Sequence, residues 1–163
     1  MNKKYFKIII VAFLFIVYLQ WFRNDIFFLF IIDHVNLAFH EAGHIFLSFF
    51  GETIHYLGGT ISQLFFPALC AFHLLKQENN FGFQLCIWWF GENLLNISIY
   101  IKDAIKQQLP LVGGGDHDWT FLLGKFHLLP QCEIIGSIVF FAGSLIIFYS
   151  FYLILKDAIQ TKS

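Results

Sequence analysis

In 163 residues the chain carries 58% hydrophobic side chains and 13% charged ones, where soluble domains hold about 25% charged. Its formal charge of −1 offers no basic surface for a phosphate backbone and argues against a nucleic-acid partner. An ordinary soluble core is excluded: the expected partner is a lipid bilayer. The expected fold is all-α, one membrane-embedded domain over 1–163, a polytopic bundle of about five spanning helices with a Gly-rich re-entrant or loop segment.

Residues 1–7 contain Lys3, Lys4 and Lys7, and an apolar run follows over 8–22. No small-residue cleavage site follows it, so the run is read as a retained first span with its basic end in the cytoplasm. The connection over 23–25 is short, which predicts that spans one and two form a tight antiparallel pair. The second span, 26–50, is long enough to cross a bilayer core that needs about 20 residues. It contains His40-Glu41-Ala42-Gly43-His44, a complete HExxH pattern. On a helix, two His four apart sit one turn above each other and can bind one Zn²⁺, while the Glu is placed to take a proton from a metal-bound water.

The surroundings of that pattern separate it from a plain anchor. An Asp at the centre of a spanning helix costs roughly 2.5–3.5 kcal/mol on insertion scales, so such residues are functional candidates. At about 100° per residue, Asp33, His34, Asn36, His40, Glu41 and His44 share an arc of about 160°. A one-sided polar face in a membrane must look into protein or water. Ala42 and Gly43 permit a neighbouring helix to come close.

The stretch 51–60 reads as a loop, with Gly58-Gly59 as the turn signal. Span three follows over 61–75, short and broken by Pro67, with His73 at the interface. Span four is 81–101, with Trp88 and Trp89 packed on other helices. Its Glu92, Asn93, Asn96 and Tyr100, followed by Asp103, form a second polar stripe, the natural partner of the first. Asn93 and Asn96 suit either interhelical hydrogen bonding or the steadying of a substrate backbone or oxyanion. The longest polar connection, 102–120, holds Pro110, three consecutive glycines and Asp116-His117-Asp118-Trp119. No GK[ST] follows the glycines, so this is not a phosphate loop. A short re-entrant or interfacial segment over 121–129 precedes span five at 134–155, where Gly136 and Gly143 are packing points. Cys70, Cys86 and Cys132 lack CxxC spacing and read as small buried hydrophobes.

Alternating span directions put the Asp116–Asp118 loop on the side where span two ends, within reach of His40 and His44. Lys102 and Lys106 fall in the same compartment as the N-terminal lysines, which makes that side cytoplasmic. The expected location is a multi-pass position in a bacterial inner membrane. The expected chemistry is a Zn²⁺ site. His40 and His44 bind, His117 or Asp118 completes three protein ligands, and Asp116 and Asp103 are the other acidic candidates. Glu41 is the general base, Asn93 and Asn96 position substrate, and Asp33 or Asp118 orients a ligand imidazole.

A HExxH within a spanning helix, with later ligands on the same side, resembles the site-2 protease class of intramembrane zinc metalloproteases. The matching residues are His40, Glu41 and His44. The resemblance implies a zinc ion held by the two His and an acidic third ligand, Glu41 as base, and cleavage of a membrane-embedded peptide or protein. In that family the third ligand lies in a Leu-Asp-Gly type motif; this chain has Gly-Gly-Gly-Asp-His-Asp-Trp instead. Two other readings use the same residues. One is a membrane zinc hydrolase of lipid amides or esters. The other is a non-catalytic metal- or proton-handling protein with Asp33, His34, His40 and Glu92 along a path.

Overall fold

A computed structural model of the chain describes residues 2–22, 30–111 and 117–160. These residues form helices and no strand. The α-helices are α1 (Lys3–Gln20), α2 (Phe30–Leu47), α3 (Glu52–Lys76), α4 (Asn80–Asp103), α5 (Asp118–Lys125) and α6 (Cys132–Gln160). Short 3₁₀ turns at Ser48–Phe50 and Leu129–Gln131 precede α3 and α6. Asn2 and Asn79 start α1 and α4 by accepting hydrogen bonds from Lys4 N and Gly82 N, each at 3.0 Å, the usual role of a side chain at a helix N-cap. Gly51, at φ +94°, turns the chain from α2 into α3, a conformation open to glycine.

Among the described residues, two helical segments are long and apolar enough to cross a membrane, Glu52–Lys76 and Leu129–Gln160. On α2 and α4 the inward polar stripes offset the apolar residues and lower the mean hydropathy.

The third helix departs from its expected outline. It begins at Glu52, so Gly58 and Gly59 lie inside it, and Pro67 is buried within it without ending it. The glycines serve packing in place of a turn. A Cβ at Gly43 would lie 2.1 Å from the Gly58 carbonyl oxygen, and a Cβ at Gly58 would lie 2.5 Å from that of Gly43. The α2 and α3 backbones therefore touch, the close approach foreseen for Gly43. Pro67 removes one ladder bond, which a helix tolerates when its neighbours hold both halves.

Helices α4 and α6 form the most extensive contact, around the fully buried Leu95, Ile101, Ile147 and Ile154. Gly143 and Gly136 are the packing points there: added Cβ atoms would sit 2.8 Å from the carbonyl oxygens of Gly91 and Ser98. The first helix packs on α6 and not as the expected close partner of α2. Its Phe15 and Tyr18 meet Phe148, the Tyr18 hydroxyl donates to Ser144 Oγ at 3.1 Å, and Lys7 pairs with Asp157 at 2.8 Å. Aromatic complementarity along the helix decides this pairing over chain proximity. The expected hairpin at 23–25 lies outside the described residues.

Candidate metal centre

The polar stripes of α2 and α4 face each other, as expected. Asn36 Nδ2 donates to Glu92 Oε2 at 3.0 Å, and Trp89 Nε1 donates to Asn36 Oδ1 at 2.7 Å. Asn96 Nδ2 donates to Asp33 Oδ1 at 3.2 Å. These groups are buried or half-buried, so each bond replaces water that the interior withholds.

Helix α5 lies along the first turns of α3. Phe121 stacks on Tyr56 with ring centroids 3.9 Å apart, and Lys125 Nζ donates to Thr53 Oγ1 at 2.5 Å. This seat places Asp118, the first residue of α5, against the HExxH turn. Asp118 Oδ2 lies 2.9 Å from His40 Nε2 and 3.2 Å from His44 Nε2. One ligand atom from each of His40, His44 and Asp118 falls within 4.8 Å of the others. Tetrahedral zinc with bonds of about 2.0–2.1 Å spaces its ligand atoms at about 3.3 Å, so the cluster is already near the size a metal requires. Burial would raise the Asp118 carboxyl, but hydrogen bonds from His40 and His44 in their protonated, imidazolium form outweigh it and hold the pKa down at about 2.

The far nitrogens of both imidazoles are engaged. His44 Nδ1 lies 2.8 Å from the His55 carbonyl oxygen. A carbonyl only accepts, so Nδ1 carries the proton and Nε2 presents a lone pair when the ring is neutral. His40 Nδ1 lies 3.1 Å from Gln63 Oε1, which gives the same assignment. Two Nε2 lone pairs and a carboxylate oxygen then converge on one point. Such a set repels itself unless a cation or added protons sit among its members. Outer hydrogen bonds of this kind orient metal-binding histidines. Gly59 lies beneath the His40 ring, where a Cβ would come within 2.4 Å of Nε2, so this ring position needs glycine at 59.

The other expected site residues fall elsewhere. His117 is the N-cap of α5: its Nδ1 accepts from Thr120 N at 3.3 Å, which turns the ring away from the histidine pair. Its Nε2 is 3.7 Å from Asp103 Oδ2, and burial lowers its pKa. The Asp103 carboxylate accepts from the backbone nitrogens of Gln108 and Leu109 at 3.0 and 2.9 Å, so it closes the turn after α4. Asp116 lies outside the described residues. Asn93 is fully buried and donates to the Trp89 carbonyl at 2.9 Å within α4, a position inside the bundle and not at the cluster. Asn96 stands behind Gln63, whose Nε2 donates to Asn96 Oδ1 at 3.1 Å. Glu41 is half-exposed beside the cluster. Its charge acts on His44 through space, and it makes no hydrogen bond or ion pair among the described residues.

Two contributors, Gln63 and the His55 carbonyl, were not foreseen. Read with α3 starting at Glu52, positions 55, 59 and 63 are spaced four apart and line the face toward α2. Comparison with protein-family models, curated proteins and solved structures finds no match for the chain.

Proposed function

We propose that this chain is an intramembrane zinc metallopeptidase. In this reading α1, α2 and α4 join the two more apolar segments as membrane spans, and the metal centre opens toward the cytoplasmic side that carries Lys3, Lys4 and Lys7. The observation that supports it best is the convergence of two imidazole lone pairs and one carboxylate, each imidazole fixed from behind. Three protein ligands leave one position for water, the pattern of catalytic rather than structural zinc. Zinc in such a site lowers the pKa of water to about 7. Glu41, next in sequence to His40 and with no hydrogen-bond or ion-pair partner among the described residues, would accept the proton. Side-chain exposures of 22% at His40 and 15% at His44 and Asp118 leave room for a substrate to approach.

The test is cleavage of labelled membrane-spanning peptides by zinc-loaded protein in lipid nanodiscs. Cleavage is expected to stop on chelation and return when zinc is restored. Release of fatty acid from lipid without peptide cleavage would move the substrate class to lipid amides or esters. Zinc uptake with neither product would point to the non-catalytic reading.

A further inference from the structure

Behind His40 runs a single file of side chains: Gln63, then Asn96, then Asp33. The contacts are 3.1 Å from His40 Nδ1 to Gln63 Oε1, 3.1 Å from Gln63 Nε2 to Asn96 Oδ1 and 3.2 Å from Asn96 Nδ2 to Asp33 Oδ1. Gln63 and Asp33 are each 3% exposed, so water has little access to these two side chains. An amide pair is ambiguous by itself, because oxygen and nitrogen can exchange places. Asp33 shares a hydrogen bond with the fully buried Glu92; with the proton of that pair on Glu92, Asp33 is a carboxylate that only accepts, which removes the ambiguity. Facing Asp33, Asn96 must present its NH₂. Its oxygen then faces Gln63, which must present its own NH₂ there and its oxygen to His40. Only a protonated Nδ1 satisfies that oxygen.

We propose that Asp33 sets the tautomer of His40 through Asn96 and Gln63, and thereby keeps His40 Nε2 unprotonated and ready to bind metal. Asp33 is a positioning residue that acts three hydrogen bonds away from the ligand atom. The proposal rests on the reading of His40 as a ligand. It adds a function for two buried polar positions, Gln63 and Asp33, that make no contact with the ion.

The test is nitrogen NMR of ¹⁵N-histidine-labelled, metal-free protein carrying Asp118→Ala, which removes the carboxylate facing His40 Nε2, with His40 assigned by its substitution, alongside zinc titration of the protein with Asp118 in place against a competing chelator. With Asp33 present, His40 is expected as the Nδ1–H tautomer. Asp33→Asn is nearly isosteric but lets the file run in either direction. It is expected to populate Nε2–H at His40 and to weaken zinc binding by about 10–100-fold, the usual effect of losing an outer partner. Adding Gln63→Glu to that variant places an acceptor directly behind His40. With the file reversed, every group is again satisfied, so the Nδ1–H tautomer and zinc affinity are expected to return. Asn96→Leu cuts the file without altering charge, and it is expected to reproduce the Asp33→Asn effect if that variant folds poorly.

An unchanged tautomer and affinity in Asp33→Asn or Asn96→Leu would overturn the proposal, as would a defect in Asp33→Asn that Gln63→Glu does not correct. Zinc binding with a tautomer indifferent to Asp33 overturns this proposal alone. A tautomer that follows Asp33 in a protein that takes up no zinc overturns the metal reading and leaves the relay standing.

Discussion

Glu41→Gln is expected to keep a full complement of zinc while lowering hydrolysis about 10²–10⁴-fold, the usual contribution of a general base. The substitution changes one oxygen to NH₂ and removes the ability to accept a proton. Structural loss should be small, because Glu41 holds no hydrogen bond or ion pair among the described residues and is half-exposed. The metal ligands His40, His44 and Asp118 are untouched. Metal analysis and turnover should be measured on the same preparation. Turnover close to wild type would remove Glu41 from the chemistry, and joint loss of metal and fold would make it a structural residue instead.

Asp118→Ala is expected to have the largest effect on metal binding, a loss of zinc affinity beyond the 10–100-fold typical of an outer partner. With the carboxylate gone, two neutral imidazoles remain, too few for a catalytic zinc site. The fold should persist, because α5 is seated by the Phe121–Tyr56 stack and by Lys125 on Thr53. The comparison that isolates the ligand role is His117→Asn. Asparagine is a good N-cap, so α5 keeps its start, and zinc affinity is expected to stay at the wild-type level. Competitive zinc titration with helical content followed by circular dichroism checks both variants. Strong loss in His117→Asn with normal binding in Asp118→Ala would reverse the assignment.

Much of this site was legible because its signals are local. HExxH fixes two imidazoles by helical spacing alone. The arc of Asp33, Asn36 and His40 on α2, and that of Glu92 and Asn96 on α4, each lie on one face of their helix, and the two arcs meet in the structure. The expectation that Asp118 comes within reach of the histidines is met at 2.9 and 3.2 Å. What was missed depended on partners distant in sequence. Gly58-Gly59 carries the signature of a turn, and only the contact with Gly43 shows that it is a helix surface. That misreading hid His55 and Gln63 in a supposed loop and at the start of a span. The choice between His117 and Asp118 depended on where α5 begins. One residue of register makes the first a cap and turns the second toward the histidines.

The central claim is met most directly by zinc K-edge X-ray absorption on the purified wild-type protein, with the metal content of the same sample. One zinc per chain is expected, with two imidazole nitrogens at about 2.0–2.1 Å, one carboxylate oxygen at about 2.0–2.2 Å and a further light oxygen. Protein that folds in the presence of zinc yet binds none, or zinc surrounded by sulfur, would contradict a site built from His40, His44 and Asp118.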